Sequence, residues 1–127
     1  MLFLVVIFIS GNCSENYEVV NNVIKFHEPS TLSNLDCSWR ITVPENKSVV
    51  ATFKDFHIEA STECQNGFIT FFDGANETEN NGIGERLCGN TIPDDIATIG
   101  NELFISMKLL EITGVKFELH YDVASKF

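Results

Sequence analysis

Cys88 stands in "ERLCGNTIP", residues 85–93, directly before a glycine and five residues ahead of a proline. A lone cysteine can be a nucleophile, a metal ligand or half of a disulfide, and each role needs different neighbours. A nucleophile needs a base to take its proton, and a zinc site needs further thiolates or imidazoles at short spacing. The histidines are His27, His57 and His120; the cysteines are Cys13, Cys37, Cys64 and Cys88, with no Cys-x-x-Cys pair. His57 and Glu59 share one strand face, the geometry of an acid–base couple or part of a zinc site. Flanked by Phe56 and Ile58, they read instead as a solvated pair. Asp94 and Asp95 follow Pro93 and read as a turn rather than a catalytic carboxylate pair. No His-Glu-x-x-His, Gly-x-Ser-x-Gly or Gly-rich phosphate loop occurs. No enzymatic centre is expected.

The cysteines must then be read by compartment. The chain opens with "MLFLVVIFIS", an apolar run closed by Ser10 and Gly11. A membrane-spanning helix needs roughly 20 apolar residues, so this run is too short, and no second one follows. A secretory leader carries an apolar core of about 7–15 residues before small residues, which fits residues 1–11 although no basic residue precedes the core. An even number of cysteines behind a leader favours two disulfides in an oxidising compartment. Spacing alone leaves three pairings open. Consecutive pairing closes two loops of equal span, each stabilising by on the order of 3 kcal/mol through restriction of the unfolded chain. Asn46-Lys47-Ser48 and Asn76-Glu77-Thr78 are glycosylation sequons, and Asn12-Cys13-Ser14 is a third beside the cleavage point.

At 127 residues and 44% hydrophobic content, with eleven phenylalanines, the chain can bury one core. Its net charge of −10 and eight scattered Lys/Arg argue against a nucleic-acid backbone as partner. The elements that must carry any site are strands. "CSWRITVP" sets Trp39, Ile41 and Val43 on one face, and Pro44 ends it. "SVVATFKDFHIEA" keeps Val49, Ala51 and Phe53 in register and then shifts to Phe56 and Ile58, so an irregularity is expected near Lys54 and Asp55. "GFITFF" runs into the turn signal Asp73-Gly74. "ANETENNGIGE" reads as a polar loop. "ELFISMKLL" aligns Leu103, Ile105 and Met107, and "GVKFELHYDV" aligns Val115, Phe117, Leu119 and Tyr121. Short strands with turns every 8–12 residues predict an all-β antiparallel sandwich.

In their order along the chain these segments resemble a CUB domain, the extracellular β-sandwich module. "CSWRITVP" resembles the family's C-x-W-x-I stretch, "ATFKDFHIEASTEC" its F-x-x-F-x-[IL]-E segment, "FITFFDG" its Asp-Gly strand, and "RLCGNTIP" its fourth-cysteine motif C-G-x-x-x-P. "IGNELFISM" and "GVKFELHY" are similar to its closing strands. The resemblance covers Cys13 to Tyr121 and implies a jelly-roll-type sandwich with two disulfides, Cys13–Cys37 and Cys64–Cys88. The amino-terminal third diverges: Cys13-Ser14-Glu15 stands where many members have Cys-Gly-Gly. A calcium-binding subgroup of the family uses one Glu and two Asp. Glu59 matches the Glu, but Gly67 (after Asn66) and Leu110 (before Glu111) occupy the other two positions. Calcium takes six to eight oxygens, so Glu59 alone makes a poor cage; no bound calcium and no cofactor are expected.

The domains expected are a leader over 1–11, a CUB-like domain over 13–122 and a tail over 123–127, read as a complete one-domain product. The function expected is that of a secreted extracellular module binding a protein or a glycan, without catalysis and without a membrane anchor. The alternatives are a structural or effector component of a secretion, or a fragment of a multidomain protease or receptor. Binding residues are expected in "STECQNG" and "ENNGIGE", at Glu63, Gln65, Asn66, Asn80, Asn81 and Glu85. Intact mass of the secreted protein, before and after reduction and deglycosylation, checks leader removal, two disulfides and sequon use together. A free thiol at Cys88 would contradict the framework.

Overall fold

A strand with apolar residues at every second position must bury one face. The computed structural model describes residues 6–11, 17–26, 34–110 and 115–125, and among these the chain meets that demand with ten strands. They are β1 (Val6–Gly11), β2 (Tyr17–Val20), β3 (Val23–Phe26), β4 (Leu35–Thr42), β5 (Lys47–His57), β6 (Gly67–Asp73), β7 (Gly82–Leu87), β8 (Ile96–Ala97), β9 (Glu102–Leu109) and β10 (Lys116–Ser125). Two five-stranded sheets form, in the orders β1-β4-β9-β6-β7 and β2-β3-β10-β5-β8. Each pairing is antiparallel. The edge strands are β1 and β7 in one sheet and β2 and β8 in the other, and the sandwich has an open side between β7 and β8.

The inward faces meet in an aromatic cluster. The Phe117 ring stacks on Phe26 at 5.5 Å and meets the edge of Trp39 at 5.8 Å across the sheets. Phe53 contacts Phe56 at 5.0 Å, Phe71 at 5.8 Å and Phe117 at 6.0 Å. Trp39 and Phe71 belong to one sheet and Phe53 and Phe117 to the other, so these edge-on contacts lock the layers face to face. The irregularity expected near Lys54 is what lets Phe53 and Phe56 both face inward. Leu119 pairs with Phe53 and Glu118 with Asp55, so exposed Lys54 is the extra residue of a bulge.

Three loops gather at one end of the sandwich. Val43 N–H donates to the Asn101 carbonyl at 2.9 Å and Gly74 N–H to the Glu102 carbonyl at 3.1 Å. The Asp73 carboxylate accepts from Ile99 N–H at 2.6 Å and Gly100 N–H at 3.1 Å. Buried Thr98 accepts from Val49 N–H at 2.9 Å and donates to the Gly100 carbonyl at 2.7 Å. The residue so held, Ile99, is 85% exposed.

Two expectations are corrected here. "GIGE" is not loop but the start of edge strand β7, because Phe71 and Phe72 offer it a strand to pair with. The domain runs beyond 122, since β10 continues to Ser125, paired with Lys47. Residues 6–11, expected as part of a leader, pair as β1 with β4 in the uncleaved chain; a β-branched apolar run can serve both as leader and as strand. Of the two disulfides expected, Cys64–Cys88 is seen among the described residues, and Cys37 is disulfide-bonded as well. Cys37 is fully buried, no described cysteine is free, and Cys13 lies outside the described residues.

Phe53→Ala removes the ring that touches three others, and an expected loss of about 3–5 kcal/mol follows from cavity formation. Lys54→Ala, one position on and exposed, is expected within about 0.5 kcal/mol of wild type. Chemical denaturation of the two variants checks both.

Candidate functional site

The feature that sets β7 apart is a break in its ladder. Leu87 pairs with Ile69 and Ile83 with Phe71, so Gly84, Glu85 and Arg86 together oppose Thr70 alone. Gly84 sits at φ +73°, a left-handed conformation that suits a residue without Cβ. Bulges on edge strands re-aim side chains, and this one displays Glu85 and Arg86. The Arg86 guanidinium lies over the Phe68 ring at 4.0 Å, a cation–π contact that orients it.

The strand's far end is pinned covalently. Cys88 bonds to Cys64 with Cα atoms 5.7 Å apart, beside a 3₁₀ turn at Thr62–Cys64. Glu63 and Cys64 hold φ values of 53° and 56°, which cost a side-chain-bearing residue roughly 1–2 kcal/mol each. The cross-link and the bonds Cys64 N–H to Ser61 O and Gln65 N–H to Thr62 O, both 3.0 Å, keep them there. Ile58 and Gly89 form a backbone bridge on the other side of the cystine. Glu63, Cys64, Glu85 and Arg86 line a shallow depression of about 520 Å³.

Of the residues expected to bind, the structure thus brings Glu63 and Glu85 together. Gln65 and Asn66 are exposed on the same turn. Asn80 and Asn81 lie at the opposite end of β7, and Asn81 is occupied within its own loop. Its Oδ1 accepts from Thr78 N–H at 2.9 Å and Thr78 Oγ1 at 2.8 Å, while its Nδ2 donates to the Asn76 carbonyl at 2.7 Å. Both described sequons share that far end: Asn46 is exposed on the turn after Pro44, and Asn76 on the loop before β7. Asn12 lies outside the described residues.

Glu59 is exposed just beyond β5. Leu110 N–H donates to the Asn66 carbonyl at 2.8 Å, so the two positions of the subgroup pattern adjoin, with no Asp at either. Glu111 lies outside the described residues. Among the described residues no three His, Cys, Asp or Glu side chains form a set that could hold a metal.

A second feature was not legible as such in the sequence. On the outer face of β10, His120 Nε2 lies 2.6 Å from Glu118 Oε2, and Lys25 Nζ lies 3.8 Å from Glu118 Oε1. Register sets Glu18 opposite Lys25, Lys25 opposite Glu118 and Glu118 opposite Asp55, and Lys116 pairs with Asp55 at 3.4 Å. The hydrogen bond to His120 holds the Glu118 carboxyl below the ordinary carboxylate range, with Lys25 adding to it and desolvation opposing. Glu118 and His120 border a cleft of about 380 Å³, whose described lining also includes Glu18, Asn21 and Lys25. Opposite charges set side by side on neighbouring strands in this way form a cross-strand charge ladder.

The fold is that of an antiparallel two-sheet sandwich module, with Glu63, Glu85 and Arg86 exposed around a cystine at one edge. The family model of the CUB domain matches residues 13–121, and the chain belongs to that family, a family of non-catalytic modules. β1 lies ahead of the matched residues. The chain is similar to Tolloid-like protein 1 of Homo sapiens, 36% identical over 92 residues, covering 64% of this chain and 9% of that protein. Procollagen C-endopeptidase enhancer 1 of Homo sapiens is 31% identical over 88 residues, covering 68% and 19%. Cubilin of Sus scrofa is 37% identical over 87 residues, covering 64% and 2%. The match thus spans less than a fifth of each of these curated relatives. Among solved structures, the CUB1-EGF-CUB2 domains of rat MASP-1 superpose with a TM-score of 0.62 at 17% identity, covering 95% of this chain and 41% of that chain. That likeness is one of fold.

Because the Glu118 carboxyl is held low in the folded state, its contribution to stability is present above the ordinary carboxylate pKa. It is lost as pH falls through the folded value. Glu118→Gln is expected to lower the denaturation midpoint near neutral pH, with the gap to wild type closing below about pH 4. A gap that persists unchanged into acid would contradict the ion-pair account.

Proposed function

We propose that the protein is a secreted, extracellular, non-catalytic binding module that recognises a protein or a glycan at the cystine edge of its sandwich. The observation that carries this reading is the meeting of Glu63 and Glu85 across the Cys64–Cys88 staple. Chain segments some twenty residues apart are covalently fixed so that their exposed side chains form one surface. A surface preorganised in this way avoids part of the ordering cost of binding. Membership of the CUB family supports the reading. One relative is by name an enhancer of a procollagen endopeptidase, a role that contact alone can fulfil.

Secretion follows from the leader reading of residues 1–11. Its removal would take β1 away and leave β4 at the sheet edge. Cys13 would pair with Cys37, and glycans would sit on Asn46 and Asn76, at the end away from the cystine, leaving the proposed surface bare. The net charge of −10 turns the molecule away from nucleic acid.

The test is capture from extracellular fluid on immobilised full-length protein, beside a glycan array. Wild type is expected to retain a saturable ligand, and Glu63→Lys/Glu85→Lys to lose at least about tenfold in affinity, equivalent to about 1.4 kcal/mol. Absence of any saturable ligand would overturn the reading.

A further inference from the structure

The open side of the sandwich is imperfectly sealed. Residues 88–95 cross from the edge of one sheet to the edge of the other, and beneath them Ile83 and Leu87 of β7 and Ile96 of β8 touch the core while remaining partly exposed. Ile92, on the crossing segment, is 53% exposed. These side chains line a groove of about 510 Å³, the size range of pockets that hold small ligands. The charged side chains on its lining are Glu85, Asp94 and Asp95. Each is a carboxylate, and all three are exposed.

From this we infer that the groove docks an extended segment of a partner protein in which an apolar side chain is flanked by lysine or arginine. The inference rests on the binding-module reading and names the chemistry of its partner. The isoleucine and leucine side chains would receive the apolar group and lose water in doing so. The three carboxylates would meet the flanking cations and set the orientation. The carboxylate rim repels anionic lipid headgroups. Among the described residues the lining presents no aromatic ring against which a sugar face could stack. Both walls are fixed before binding. β7 is held by the cystine and by the Ile58–Gly89 bridge, and β8 by its pairing with Val50 and Ala51 and by Thr98 N–H to the Val49 carbonyl at 2.9 Å. The bulge at Gly84 breaks the regular edge of β7, so recognition goes through side chains in the groove rather than through addition of a strand.

The test titrates the full-length, isotopically labelled protein with acetyl-KRLIKK-amide and follows backbone amide shifts. Acetyl-EDLIEE-amide and acetyl-KRSGKK-amide serve as controls for charge and for the apolar centre. Saturable shifts confined to residues 83–96 are expected with the first peptide. Binding at least about tenfold weaker is expected for each control, with affinity falling as salt rises. Ile92→Ala/Asp94→Lys/Asp95→Lys, all at exposed positions, is expected to keep the wild-type melting temperature and lose the response. Shifts spread over the acidic surface, or equal binding of the polar-centred peptide, would overturn the inference as mere charge attraction. Equal binding of the acidic peptide, or no saturable response, would overturn it as well. If the same triple variant captures the extracellular ligand as wild type does, the groove proposal fails while the binding-module reading stands. If wild type captures nothing, that reading fails, and the peptide titration still decides whether the groove binds.

Discussion

The two sheets are held in register by a small set of rings: Trp39 and Phe71 on one, Phe53 and Phe117 on the other. Strands that bury a single face are stable only when that face meets another, and burial of a large apolar side chain contributes roughly 1.5–3 kcal/mol. Edge-on contacts also fix how the sheets slide and rotate against each other. The bulge at Lys54 belongs to this constraint, since without the extra residue Phe53 and Phe56 could not both reach the cluster. The positions of β7 and β8, and of the gap between them, follow from where the layers are pinned.

Outside that core the molecule divides its two ends. At one, the Asp73 carboxylate and the Thr98 and Asn81 side chains knit three loops together, and two sequons are exposed. At the other, a cystine acts with backbone hydrogen bonds to hold two unfavourable backbone conformations at Glu63 and Cys64. Hydrogen-bonded loops leave few polar groups over for a ligand, whereas a cross-link fixes the backbone and leaves the side chains unspent. That difference is the physical reason to place recognition at the cystine edge.

Much of the fold was legible in the sequence because strand burial writes a period of two into the chain. Trp39 and Ile41, Leu103 to Met107, and Phe117 to Tyr121 all lie inward as their alternation requires, and the break in alternation at Lys54 located a bulge. β7 was not legible: Gly82 and Gly84 read as loop, and only the neighbouring Phe71 and Phe72 make the segment a strand. The site was half legible. Polar residues beside a cysteine marked Glu63 and Glu85, but their meeting depends on the disulfide, which spacing alone does not assign. Asn81 read as an available contact because composition does not tell a side chain that ties its own loop from one that faces outward. The approach of His120 to Glu118 was hidden for a different reason. Two outward residues on one strand are visible as neighbours, but Lys25, which helps to orient the carboxylate, comes from another strand nearly a hundred residues away in sequence.

The central claim is that recognition occurs at the cystine edge and the groove beside it, away from the sequon-bearing loops. Amide hydrogen exchange of the full chain, alone and saturated with its extracellular ligand, tests this most directly, because it reports backbone protection segment by segment. The account predicts slowed exchange concentrated in residues 62–66 and 83–96, with residues 44–47, 74–81 and 98–101 unchanged. Protection centred on those three loops instead, around Ile99, would contradict it.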